Sequence, residues 1–118
     1  MMINVDRSSV AAGDDVLPHA ETVDLPPETP LADVVAHLLE RRFLALIAGG
    51  RATWILVAGR PLAVVAQQWD EPRFLVDSSR PISSFGAEGR VSLMFRYWKQ
   101  HDPDHVFAEL AAGREPER

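Results

Sequence analysis

A chain of 118 residues is long enough to bury one modest core and too short for two. It contains no cysteine, which excludes disulfides and thiolate metal sites, and its net charge of −5 opposes general affinity for phosphate backbones. The charge is uneven: Met1 to Glu40 carries −7 and Arg41 to Arg118 carries +2. Such asymmetry can steer a basic partner toward the acidic N-terminal third, or it can be a solvated leader. Eleven arginines to one lysine, with fifteen alanines, fit a GC-rich bacterial coding sequence.

Residues 1–18 mix Ser, Ala, Gly and Asp without a sustained period, so the expectation is a flexible acidic leader. A single α+β domain over 19–113 and a frayed tail over 114–118 complete the expected organisation. Glu21 to Leu25 reads as a short strand stopped by Pro26-Pro27. Thr29 is suited to cap a helix and Pro30 to begin it, and Leu31, Val34, Val35, Leu38 and Leu39 follow at helical spacing.

Phe43 to Trp69 is almost wholly apolar, interrupted at Gly49-Gly50-Arg51 and Gly59-Arg60-Pro61. It divides into strands at Phe43–Ala48, Ala52–Ala58 and Leu62–Gln68 joined by tight turns. The middle strand is apolar on both sides, so it needs cover on both faces. Arg73 to Asp77 is a fourth strand candidate. Arg90 to Gln100 fits both periods: the helical count is slightly cleaner, composition favours a strand, and helix is the preferred reading. Asp102 caps and Pro103 starts a final helix whose stripe of Val106, Phe107 and Leu110 ends at Gly113. The fold class expected is α+β: an antiparallel meander of roughly three to five strands, an amphipathic helix on one face, and C-terminal helical elements.

Chemistry-bearing motifs are sparse. His101-Asp102-Pro103-Asp104-His105 holds two histidines four apart, but Pro103 places the helix start between them, so capping rather than metal binding is expected. The serine pairs lack a nucleophile elbow and the glycines match no phosphate-binding pattern. Arg41 to Lys99 has a local excess of +5 interleaved with aromatics, yet the bases are scattered singly, which argues against nucleic acid. The uninterrupted apolar pieces fall well short of the ~18 residues of a membrane helix, and Met1 to Val16 has no signal-type apolar run. A cytoplasmic protein without membrane partner, metal or cofactor is therefore expected.

Phe95-Arg96-Tyr97-Trp98 concentrates the residue types that dominate binding hot spots. Arg96, Tyr97 and Trp98 are the expected contact residues, with Asp24 and Glu28 supplying charge toward a basic protein partner. The competing reading makes Phe95 and Trp98 the second core layer that the central strand requires.

Thr22-Val23-Asp24-Leu25-Pro26-Pro27-Glu28-Thr29-Pro30-Leu31, within Glu21 to Arg42, resembles the opening strand and helix of a CBS domain, and Trp54 to Gln68 could stand for its strand pair. The resemblance covers under half the chain. Where such domains place Thr or Ser and Asp for nucleotide, Ala66 and Trp69 stand here, so it implies no nucleotide site.

The function expected is a non-enzymatic protein-binding domain, such as a bacterial immunity-type (toxin-neutralising) protein or a small regulatory adaptor. The alternatives are a small-ligand sensor with a pocket between the Pro30 helix and the sheet, marked by His37 and Gln67, and then a small enzyme.

Overall fold

The computed structural model describes residues 1–8, 20–41, 43–44, 52–98 and 102–116. Six strands and two helices follow in the order β1 (Met2–Arg7), β2 (Glu21–Asp24), α1 (Leu31–Glu40), β3 (Thr53–Val57), β4 (Pro61–Ala66), β5 (Arg73–Phe74), β6 (Arg90–Tyr97) and α2 (Pro103–Ala111). The strands form one sheet in the order β2-β1-β6-β3-β4-β5. Five strands were the upper bound of the meander read from the sequence, and the observed sheet is mixed, because β1 and β6 run parallel.

The difference has two sources. Met2–Arg7 is a sheet strand rather than part of a mobile leader, with Ile3 and Val5 fully buried. The alternation that marks it spans only two apolar inward positions, too few to stand out from a polar surrounding. Residues 9–18 of the expected leader lie outside the described residues. Arg90 to Tyr97 is a strand rather than the preferred helix: Val91, Leu93 and Phe95 point inward at period 2 while Ser92 faces out. Its pairing on both sides, with β1 and with β3, overrides the helical count. The strand expected at Phe43–Ala48 falls mostly outside the described residues, and Phe43 and Leu44 are not in a strand.

β1 and β2 form an antiparallel pair, and β3, β4 and β5 a meander. β2 and β3 run in the same direction, so α1 is a crossover that carries the chain over β1 and β6. β6 then inserts between the two groups, against β1 on one side and β3 on the other.

Each helix covers a different face. Leu31, Val34, Val35 and Leu38 of α1 pack with Ile3, Val5, Trp54, Leu56, Val91, Leu93 and Phe95 in the larger core. α2 lays Val106 on Ile55, Val64 and Trp98 in a smaller one, with Phe107 and Leu110 at its margin. The two-sided cover that the apolar β3 demands is thus supplied by the two helices.

The start of α1 differs from expectation in detail. Pro30, not Thr29, is the capping residue, and no side chain caps the helix. The orphan N–H groups of Leu31 and Ala32 donate instead to the carbonyls of Arg80 and Ser78. Ile82 and Ser83 donate in turn to the carbonyls of Thr29 and Pro27, so two loops distant in sequence clasp each other. Asp77 shapes this clasp by accepting from the Ser79 hydroxyl at 2.6 Å and its N–H at 3.0 Å, and those bonds hold its carboxyl below the usual value.

α2 begins as read. The Asp102 side chain accepts from the Asp104 N–H at 3.1 Å, and Gly113 adopts a positive φ of 79° just past the helix end. The tail differs: Arg114 donates backbone and side-chain hydrogen bonds to Glu109, and Pro116 is buried. Residues 117–118 lie outside the described residues.

Candidate binding surfaces

Among the described residues, α2 covers the second face of the sheet over β3 and β4. The remainder, β2-β1-β6, carries side chains in registered rows. Asp24, Met2 and Arg90 make one row, Thr22, Asn4 and Ser92 the next, and Asp6, Met94 and Val57 the third. The Thr22 hydroxyl donates to Asn4 Oδ1 at 3.3 Å, as neighbours on one face should. Met2 is 47% exposed, the exception among the large hydrophobic side chains described. Between the second and third rows lies a shallow hollow of about 560 Å³.

The free edge of the sheet at β2 follows from the hydrogen-bond pattern. Leu25 N–H donates to the Met1 carbonyl, so Leu25, Val23 and Glu21 turn their backbone groups toward β1. Thr22 and Asp24 therefore direct theirs outward. Glu21 is held by Arg41 at 2.9 Å, and Asp24 by the Met1 ammonium at 3.1 Å.

At the far end of the second face, Arg96 stands half-buried with its guanidinium 5.0 Å from the centre of the Trp98 ring. Both line a groove of about 340 Å³ between the sheet, the end of α2 and the segment 113–116.

A third concavity of about 390 Å³ lies where the C-terminal end of α1 meets β3 and β4. Leu39, Leu44, Trp54, Val65 and Trp69 wall it and Gln67 lines it. Its position is that expected for a ligand pocket between the Pro30 helix and the sheet, with Gln67 present and His37 absent from the lining.

The sequence-derived contact residues are dispersed by this fold. Trp98 is only 1% exposed and belongs to the smaller core, as the competing reading of it held. Tyr97 is half-buried against Trp54 at 5.0 Å, on the opposite face from Arg96. Arg96 and Asp24 share a face, but Asp24 lies in the row of Arg90, six residues and roughly 20 Å along the strand from Arg96. Glu28 is exposed in the turn before α1. Sequence reasoning did not find Met2, Asn4, Thr22, Ser92 and Met94, because their common face exists only once β6 has been placed beside β1.

Among the described residues, no group of three His, Asp or Glu side chains could hold a metal ion, and no helix is long and apolar enough to cross a membrane. His101 lies outside them, and His105 is exposed on α2 near Glu109 at 3.9 Å. Two carboxyls are held below their ordinary values by local hydrogen bonds: exposed Asp77, as above, and part-buried Glu109, by Arg114. No protein family, no characterised protein and no solved structure matches this chain.

Proposed function

We propose that the protein is a non-enzymatic protein-binding domain that docks a partner on the uncovered β2-β1-β6 face. The observation that supports this reading is the make-up of that face. The neutral Thr22, Asn4 and Ser92 occupy its middle row, and Met2 and Met94 stand in the rows on either side with Asp24, Arg90 and Asp6 as neighbours. A centre depleted in charge, flanked by methionine and bordered by ions is the anatomy of a protein interface, and methionine adapts its shape to the surface it meets. A toxin-neutralising (immunity-type) protein or a small regulatory adaptor is the physiological setting that fits. The acidic N-terminal third favours a basic partner through faster encounter.

The test is co-purification of the tagged full chain from its native cell beside a Ser92→Arg variant. Ser92 is exposed, so the variant should melt like the parent while losing a stoichiometric partner that the parent retains. Retention of the same partner by both proteins would remove the face from the reading.

A small-ligand sensor is the second reading, favoured by the cavity at the end of α1 with its two tryptophans and Gln67. A thermal shift with a member of a metabolite panel, abolished by filling the cavity with Val65→Phe, would support it over the first.

A further inference from the structure

Arg96, like Arg80, is a part-buried base stacked on an aromatic ring and not paired with an acid among the described residues, and of the two it is Arg96 that lines a groove. Arg41, Arg73 and Arg114 each hold an acid, Glu21, Asp104 and Glu109 respectively. The Arg96 side chain makes no hydrogen bond or ion pair among the described residues, and what holds it is the stack on Trp98. A guanidinium offers five N–H donors in a planar fork matched to a carboxylate, and covering it partly without an acid is costly. The stack fixes the plane of that fork beside the groove while leaving its donors unspent.

The rest of the groove defines what could use them. Ile55, Trp98 and Leu110 supply apolar lining, while Arg114 is neutralised by Glu109. Glu115 also lines the groove, so among the described residues Arg96 is its cation left to pair with a ligand and Glu115 the anion a ligand must avoid. One negative charge on the ligand is then balanced by Arg96, whereas a doubly charged phosphate would meet Glu115 with a surplus. The volume of about 340 Å³ is enough for one aromatic ring on a short arm.

We propose that this groove is a binding site for a monoanionic organic acid, its carboxylate paired with Arg96 and its apolar body seated on Ile55, Trp98 and Leu110. The site adjoins the protein-binding face at Arg96 but does not depend on that reading.

Isothermal titration of the full chain with 3-phenylpropionate tests it directly, with the neutral 3-phenylpropionamide and inorganic phosphate as comparisons. Binding by the acid in the roughly millimolar range is expected for a ligand of this size. The amide should bind at least about tenfold more weakly, since it keeps the shape and loses the charge. Arg96→Gln should reduce affinity for the acid by about tenfold or more, and Arg96→Lys by less, because an ammonium keeps the charge without the fork. In a 1H–15N spectrum the acid should move the Trp98 indole signal ahead of those of Trp54 and Trp69. Equal affinity for acid and amide would overturn the proposal, as would phosphate binding as tightly as the acid, no heat with the acid at ~10 mM, or a response centred on Trp69. Because the acid–amide comparison uses the unaltered chain, the test holds even where an Arg96 variant does not fold.

Discussion

The two faces of the sheet are built to different specifications. On the first, α1 sits over a continuous interior drawn from β1, β2, β3, β4 and β6, and its N-terminus is tied by backbone hydrogen bonds to the clasp at Ser78–Arg80. On the second, α2 covers β3 and β4 with a cluster centred on Ile55, Val64, Trp98 and Val106, and among the described residues Asn4, Thr22 and Ser92 of β1, β2 and β6 are exposed. Buried area scales with stabilisation, so the first face should carry most of the fold's stability, and the recognition proposed above is assigned to the second.

The most disruptive way to test that contrast is to cut into each core. Leu38→Ala should cost roughly 2–5 kcal/mol and accelerate amide exchange throughout the molecule, because α1 opens only when the whole sheet does. Val106→Ala should cost about 2 kcal/mol and speed exchange chiefly within α2. If urea titration and exchange show the two variants to be alike, the faces are energetically equivalent and the contrast fails.

Gly86→Ala probes the first face from its rim. A Cβ there would lie 2.1 Å from the Arg90 carbonyl oxygen and 2.6 Å from Val91 Cγ2, at the entry to β6. The backbone is extended, so the cost is collision rather than a forbidden dihedral, roughly 1–3 kcal/mol in chemical denaturation. No loss of stability would mean that β6 can shift relative to the turn before it.

Acid titration sharpens the role of the clasp. The Ser79 hydrogen bonds hold the Asp77 carboxyl below its ordinary value, so its stabilising contribution is complete above the unfolded-chain value and fades as pH falls through the lower folded one. The urea midpoint should therefore decline across that acidic window, and Asp77→Asn should flatten part of the decline. The Glu109 carboxyl, lowered by Arg114, contributes with the same sign on the second face. An Asp77→Asn profile parallel to that of the parent would separate the clasp from the pH response.

The smallest effect expected is a gain. Glu88 and Gly89 both have positive φ, 54° and 77°, in the two-residue turn that leads into β6. Asn tolerates this conformation better than Glu, so Glu88→Asn should stabilise by a few tenths of a kcal/mol, visible as a small rise in Tm.

What could be read in the residues before folding was whatever depends on near neighbours. The stripe of α1, the Asp102 cap and Gly113 stop of α2, and the strands at Thr53–Val57 and Pro61–Ala66 all have their causes within a few positions of themselves. What escaped depends on partners far along the chain. Met2–Arg7 is a strand because Arg90–Tyr97 and Glu21–Asp24 flank it, and the helical count of Val91, Met94, Phe95 and Trp98 yields to pairing on both edges. The sites behave the same way: Arg96 was picked out by type, but its lack of an acid and the removal of Trp98 from the surface are properties of the assembled sheet.

The central placement of β6 also sets an order of events during synthesis. The β1–β2 pair and the β3-β4-β5 meander are complete before β6 emerges, yet each then presents a bare strand flank to the other across the gap that β6 fills. A nascent chain paused before Arg90 would hold two half-sheets with nothing to join them, the condition in which strands recruit neighbours from other molecules. Completion waits on pairing between Met2–Arg7 and Arg90–Tyr97, about three-quarters of the polypeptide apart, and contacts of such separation slow folding.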